Sequence, residues 1–157
     1  MDAMKVDVKQ LEALQERLEE LSAGQKDQFF EAAAKDTAAR FLVVVKRATP
    51  KDTGTLRRGW TSGKDISEQA AASSIPVKRF GRSYSITVEN NVEYASYVEY
   101  GHRQQVGRYV PELGKRLVKP YIDPQYFVKR SQEAFEPHVP RFLEKKLDQF
   151  LKEAFDG

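Results

Sequence analysis

The chain has 157 residues and no cysteine, with 40% hydrophobic and 31% charged residues. That length accommodates one domain with a sizeable core, and the lack of cysteine excludes disulfides, thiolate metal sites and thiol nucleophiles. No segment approaches the roughly 18–20 apolar residues of a membrane span, and the first residues do not form a signal peptide. We therefore expect a globular protein that stays in the cytoplasm where it is made.

The net charge of +3 is unevenly distributed. Residues 1–30 carry four Lys/Arg against seven Asp/Glu, whereas residues 100–119 carry five Lys/Arg against Glu112 alone. The five basic residues are Arg103, Arg108, Lys115, Arg116 and Lys119. Such a segment can attract a polyanion without reading bases. A solvated loop kept soluble by its charge is the alternative interpretation.

Two helices are predicted in the first third of the chain. Residues 7–23 carry leucines at alternating spacings of three and four, with Gly24 as a stop signal. This stripe is too short for a free-standing coiled coil, so it packs on the next helix or on a neighbouring subunit. The second helix covers residues 27–48 and ends before Pro50. Its apolar face comprises Phe30, Ala33, Ala34, Thr37, Ala38, Phe41, Leu42 and Val45.

The hydrophobic period changes to two after a turn over residues 50–54. Tyr84, Ile86 and Val88 alternate with polar residues, which predicts a half-buried strand. Ile75, Val77 and Phe80 precede it, and residues 81–83 supply the turn of a hairpin. A short helix over residues 94–100 should then end at Gly101.

The last third is predicted to contain a loop and two helices. Residues 102–119 have no clear period, which indicates a long exposed loop. Asp123-Pro124 is a helix-start signature, and Pro137 should end that helix, whose apolar residues are Phe127, Ala134 and Phe135. A final helix from about Pro140 places on one face Leu143, Leu147, Phe150, Leu151 and Ala154.

These elements predict an α+β fold with long N-terminal helices, a small and mostly antiparallel sheet, and C-terminal helices. We divide the chain into an N-terminal helical arm (1–24), a central α+β domain (25–136) and a C-terminal helix (137–157).

No motif supports catalysis, a metal site or a cofactor. Asp52-Thr53-Gly54 spells the aspartic-protease triplet, but Pro50-Lys51 precede it instead of an apolar strand, and no later segment completes that pattern. A turn with Gly54 at positive φ is the better interpretation. His102 and His138 lie in no metal-binding spacing, and the chain has no phosphate loop, dinucleotide fingerprint or nucleophile elbow. We expect no enzyme activity and no cofactor.

Non-specific DNA binding is the stronger alternative. Further basic residues, Arg57, Arg58, Lys78, Arg79 and Arg82, could join the basic loop in one phosphate-facing patch. Trp60, Tyr84 and Tyr109 are the candidate stacking residues. Against this alternative, no recognition-helix pattern is present and the net charge is modest; scattered surface charge would explain the same residues.

Two segments resemble the tail-component family of long-tailed bacteriophages. Residues 48–60, ATPKDTGTLRRGW, resemble that family's A-P-x-D-T-G-x-L-R-x-S/G-W segment. Residues 88–102, VENNVEYASYVEYGH, resemble its V-G-N-N-V-x-Y-A-x-Y-V-E-F/Y-G segment. The resemblance covers about residues 27–135, and the departures are small: Lys51 replaces a common apolar residue and Glu89 a common glycine.

The resemblance implies a structural role for the matched residues. They are Asp52, Thr53, Gly54, Leu56, Arg57, Trp60, Asn91, Tyr94, Tyr97, Glu99 and Gly101. Leu56 and Trp60 should anchor the turn on the core, and the Tyr94, Tyr97 and Val98 face should seat the short helix on the sheet.

The resemblance also implies a role in the virion. Members of the family complete the tail or join head to tail, as ring subunits around the DNA channel. The implied partners are further copies in a ring, with sixfold closure, and the neighbouring connector and tail-tube proteins. A tail terminator, which caps the tube and sets its length, is the alternative within the virion. In a ring subunit of the neck, the basic residues of the loop would face the DNA channel or the next ring.

Overall fold

The computed structural model describes residues 2–7, 22–51, 54–112 and 114–156. Its helices are α1 (Ala23–Ala48), α2 (Thr55–Arg58), α3 (Glu68–Ser73), α4 (Ala95–Tyr100), α5 (Phe127–Phe135) and α6 (Val139–Asp156). Its strands are β1 (Asp2–Asp7), β2 (Lys78–Phe80), β3 (Ser83–Glu89), β4 (His102–Arg103), β5 (Tyr109–Val110), β6 (Lys115–Arg116) and β7 (Tyr121–Ile122). Two 3-10 turns extend α2 over Gly59–Thr61 and α5 over Glu136–His138. The predicted α+β class is confirmed.

Helix α1 begins four residues earlier than the sequence predicts. Ser22 and Gln25 form a capping box, in which Gln25 N–H donates to Ser22 Oγ at 3.2 Å and Ser22 N–H to Gln25 Oε1 at 3.1 Å. Gly24 therefore lies in the first turn of α1, and its prediction as a stop signal is wrong. The predicted end before Pro50 is confirmed.

Helix α1 is the central element of the core. All eight residues of its predicted apolar face are buried, and aromatic side chains connect it to its neighbours. Phe30 stacks on Tyr84 of β3 with ring centroids 5.0 Å apart, and Phe41 meets Phe135 of α5 at 5.5 Å. An ion pair between Asp36 and Lys146 joins α1 to α6 at the edge of that core.

The main sheet has three antiparallel strands in the order β1-β3-β2. The predicted hairpin is present: Phe80 pairs with Ser83, so that the turn is Gly81-Arg82. Strand β1 is a correction, because the sequence predicts a helix from residue 7 and no strand before it. Residues 8–21, which contain most of that predicted helix, lie outside the described residues, and the three-part division of the chain stays a prediction.

The C-terminal helices confirm some of the predicted positions and correct others. Phe127, Phe135, Leu143 and Leu147 are buried as predicted, whereas Ala134 and Ala154 are exposed, and Phe150 and Leu151 are half-buried. Helix α5 begins at Phe127 and not at Pro124, so the predicted Asp123-Pro124 start is wrong. Helix α3, whose N-cap is Ser67, is not predicted from the sequence.

Residues 102–122 form an exposed hairpin, which we call the arm, instead of the predicted structureless loop. At its base His102 pairs with Ile122 and Arg103 with Tyr121. Towards its tip Tyr109 pairs with Arg116 and Val110 with Lys115. Backbone hydrogen bonds between these two ladders, from Gln104 N–H to Pro120 O (2.9 Å) and from Gly107 N–H to Leu117 O (2.7 Å), continue the pairing.

Candidate functional site

The first matched segment joins the end of α1 to the core. The Trp60 indole N–H donates to Thr49 Oγ1 at 2.9 Å, and that hydroxyl donates to Val45 O in the last turn of α1. The Arg57 Nε–H donates to Thr49 O at 2.9 Å, which places a positive charge at the helix C-terminus, where the helix dipole favours it. Trp60 and Leu56 are buried, as predicted.

The turn that connects α1 to this anchor requires a glycine. Gly54 has a φ of +79°, the left-handed conformation that the sequence predicts there. Asp52 and Thr53, the remaining matched residues of the turn, lie outside the described residues.

The second matched segment is fastened to the first through Asn90. Asn90 Nδ2 donates to Leu56 O at 2.8 Å, and Asn90 Oδ1 accepts from Val92 N–H at 3.0 Å. Gly59 leaves room for this amide, since a Cβ there would lie 2.2 Å from Asn90 Oδ1. Asn91, the residue of the resemblance, is exposed and donates its backbone N–H to Gly59 O at 3.3 Å. The buried asparagine is its neighbour.

Glu99 performs the capping role that the sequence assigned to Asp123. Its carboxylate lies at the N-terminus of α5, where Oε1 accepts from Val128 N–H and Oε2 from Lys129 N–H, both at 3.0 Å. Glu99 is only 2% exposed, and the two donors are helix N–H groups without intrahelical acceptors. This buried carboxylate therefore has a structural role.

The residues around Glu99 define the base of the arm. Gly101, at φ +73°, packs against the returning chain: a Cβ there would lie 2.6 Å from Ile122 O. Tyr94 is half-buried against the core, but Tyr97 is exposed and its ring lies 5.0 Å from that of His102. The prediction that Tyr97 helps to seat α4 is therefore wrong, and Ala95 is the buried residue of that turn.

All five basic residues predicted to form the loop site are exposed on the arm. Arg116 donates to Gly107 O at 3.0 Å, and its guanidinium carbon lies 6.0 Å from the centre of the Tyr109 ring. Within the described part of the chain, none of the five side chains forms an ion pair. The arm thus presents uncompensated positive charge to solvent.

Two of the other predicted basic residues and two of the predicted stacking residues are held in contacts within the protein. Arg79 pairs with Asp27 at 2.8 Å and lies over the Tyr84 ring, and Arg57 caps α1. Trp60 and Tyr84 are buried and cannot stack on a nucleobase, which leaves Tyr109 as the exposed aromatic of the three. Arg58, Lys78 and Arg82 are exposed, and a single enlarged patch that includes the arm stays a prediction.

The histidines and carboxylates of the described residues do not form a metal-binding cluster. No three His, Asp or Glu side chains there are grouped so that they could hold a metal ion. His138 is exposed in the 3-10 turn after α5, and His102 lies at the base of the arm with its Nδ1 buried and without a hydrogen-bond partner.

Both matched segments lie within the region of the chain that matches a known protein family. The model of the HK97-gp10-like family, a bacteriophage HK97 gp10 tail component, matches residues 12–101. The chain belongs to this family of bacteriophage tail components. The match starts earlier than the resemblance found in the sequence and ends at Gly101, immediately before the arm.

No curated protein matches the chain, and no solved structure matches it. No helix in the described residues is both long and apolar enough to cross a membrane.

Proposed function

We propose that this tail component is a ring subunit of the phage neck, which completes the tail or joins it to the head around the DNA channel. The observation that supports this role is where the family motifs and the charged side chains lie. The two matched segments form hydrogen bonds inside the protein, while the exposed arm lies beyond the family match and carries basic side chains without ion pairs. A structural subunit needs contact surfaces and no reactive groups, so we propose no enzyme activity, no metal and no cofactor.

The proposed ring has six copies and contacts the connector on one side and the tail tube on the other. Heterologous contacts between neighbouring copies close into a ring when the rotation per subunit divides a full turn. Assembly would take place in the host cytoplasm, before the ring becomes part of the virion.

The test is the replacement of the gene by an empty cassette in the phage or prophage that carries it. Electron micrographs of lysates should show DNA-filled heads and separate tails of normal length. Abnormally long tubes would instead assign the chain as a tail terminator. Normal infectious particles would contradict any role in the virion.

Non-specific DNA binding is the candidate of another class, and the uncompensated charge of the arm supports it. For the ring subunit we expect weak, sequence-independent binding of duplex DNA. Because five cationic side chains can neutralise at most five phosphates, the plot of log Kobs against log salt should have a slope no steeper than about −4.5. Binding that survives high salt or prefers one sequence would favour the DNA-binding protein.

A further inference from the structure

The exposed apolar side chains of the described residues are concentrated around the arm. Ten large hydrophobic residues are exposed, and seven of them lie between positions 97 and 126. Within the arm, Val118 is 79% exposed, Val106 58% and Tyr109 51%. Since soluble monomers seldom leave apolar side chains clustered on one surface, this concentration indicates a surface that another molecule covers.

The arm combines these apolar side chains with arginines in a way that fits a protein partner. Directly paired residues of an antiparallel ladder point to the same face, so the pairs Arg103–Tyr121 and Tyr109–Arg116 each place a tyrosine next to an arginine. Both residue types are enriched at protein–protein interfaces. Duplex DNA would attract the arginines, but it would leave the exposed Val118 in water.

The corner between α5 and α6, residues 131–140, is a described surface of the opposite charge. It contains Glu133 and Glu136 and no Lys or Arg. Both glutamates are exposed, and neither forms an ion pair with another described residue. The exposed apolar residues beside them are Ala134, Pro137 and Pro140. The corner therefore offers the two properties that complement the arm, which are negative charge and apolar surface.

Two other surfaces with exposed carboxylates match the arm less well. On α6 the acidic side chains are interspersed with Arg141, Lys145 and Lys152, which offset their charge. The turn over residues 89–93 exposes Glu89 and Glu93, but its remaining side chains are exposed only at Asn91. A contact at that turn would leave the apolar side chains of the arm without an apolar counterpart.

The arm and the corner lie at the two ends of α5. The base of the arm is fixed at the N-terminal end, where Glu99 caps the helix and Gly101 packs against the chain that returns from the arm. The corner follows the C-terminal end, about 14 Å away for a helix of nine residues. Two copies can therefore use different ends of the same helix for one contact.

We propose that the arm of one copy binds the α5–α6 corner of a second copy. The arm holds five cationic side chains against Glu112, and the corner supplies the carboxylates of Glu133 and Glu136. The contact joins two different surfaces, so it is heterologous and can propagate around a ring. The proposal rests on the proposed function for the purpose of the contact.

The first test is photo-crosslinking of the full chain with p-benzoylphenylalanine in place of Tyr109. Isotope-labelled and unlabelled chains are mixed equally at about 100 µM, where a contact with a Kd in the micromolar to submillimolar range is populated. Mass spectrometry should find crosslinks that join a labelled to an unlabelled chain within residues 131–140. The same photo-reactive residue in place of Lys64, which is exposed outside the arm, should give no such crosslinks.

Charge reversal of the corner tests the electrostatic part of the contact. Glu133→Lys together with Glu136→Lys should lower the yield of covalent dimer roughly fivefold or more, because like charges then face each other across the interface. Glu89→Lys together with Glu93→Lys makes the same change in net charge at the exposed turn and should leave the yield unchanged. Unchanged emission of Trp60, the single tryptophan, verifies that each variant is folded.

A mixture of two reversed chains identifies the two partners of the contact. An arm variant with Arg108→Glu, Lys115→Glu and Lys119→Glu should crosslink weakly by itself, as the corner variant does. An equal mixture of the two variants should recover about half of the parent's yield, because attraction is then restored only between unlike chains.

Four results would overturn the proposal. These are a lack of mixed-isotope crosslinks, crosslinks to a second copy outside residues 131–140, an equal loss of yield in the control variant at the 89–93 turn, and no recovery in the mixture. Adducts with an added duplex oligonucleotide that replace the protein crosslinks would assign the arm to DNA instead. Each result would leave the proposed ring subunit standing, since a ring can close through other surfaces and the gene replacement reads out the virion role independently.

Discussion

The carboxylate of Glu99 accepts a hydrogen bond from the backbone N–H of Val128, 29 residues further along the chain, at 3.0 Å. Its second oxygen accepts from the following N–H, so that one side chain of α4 caps the first turn of α5. The same short helix ends at Gly101, where the arm begins. Glu99 therefore fixes the base of the arm to the helical core.

Removal of this cap should destabilise the fold. Glu99→Ala leaves the buried N–H of Val128 and the part-buried N–H of Lys129 without acceptors and should lower the free energy of unfolding by about 2–3 kcal/mol. Glu99→Gln keeps one acceptor oxygen and should cost less. Urea titration followed by circular dichroism measures both. Glu93→Ala, at an exposed position, is the control and should stay within about 0.5 kcal/mol of the parent; an equal loss in that variant would refute the capping role.

The hydrogen bond between Trp60 and Thr49 gives a second stability test. Thr49→Val keeps the shape of the side chain but leaves the buried indole N–H without its acceptor, which should cost about 1–3 kcal/mol. Thr49→Ser retains the hydroxyl and should cost less than Thr49→Val. Unfolding can be followed by the emission of Trp60 itself. If the serine variant were the less stable one, the methyl group and not the hydroxyl would be the important part of Thr49.

Tyr84 gives a prediction about pH. Burial of its ring, with a further contribution from the hydrogen bond to Asp27, raises the pKa of the Tyr84 hydroxyl to about 12. The folded state thus holds this proton more tightly than the unfolded chain, whose tyrosine pKa is about 10. The associated stability is complete below pH 10 and is lost as the pH rises towards 12.

The Tyr84→Phe variant isolates this contribution. The difference between the tyrosinate absorbance titrations of the parent and the variant should show one group that titrates near pH 12. The parent should also lose more stability than the variant between pH 10 and 12. A difference titration with its midpoint near 10 would contradict the burial and the hydrogen bond of Tyr84.

The sequence predicts the elements that depend on local patterns. The 3.6-residue spacing of apolar side chains identifies the buried face of α1, and the alternation of Tyr84, Ile86 and Val88 identifies β3. Gly54 and Gly101 mark positive φ values because few other residues adopt them. In each case the signal lies within a few neighbouring residues.

The missed features depend on contacts between distant residues. Strand β1 is short and charged, and it forms by pairing with β3, which lies about eighty residues away. The arm has two-residue ladders without apolar alternation, so its pairing leaves no periodic signal. The Asp123-Pro124 signature is a local cap pattern, and the distant carboxylate of Glu99 displaces it. Asn90 could have been preferred to Asn91 by continuing the alternation of β3, in which Ile86 and Val88 already point inwards.

The most direct test of the account is a phage that carries a shortened arm. Gln104 N–H bonds to Pro120 O, so a Gly-Ser-Gly-Ser linker in place of residues 105–119 can close the hairpin above the His102–Ile122 and Arg103–Tyr121 pairs. The purified variant should keep the circular dichroism spectrum and Trp60 emission of the parent, because none of the removed side chains that the structure describes belongs to the core. Electron micrographs of its lysates should show DNA-filled heads and unattached tails. Normal infectious particles from this folded variant would contradict the claim that the arm makes the contacts of the tail component in the virion.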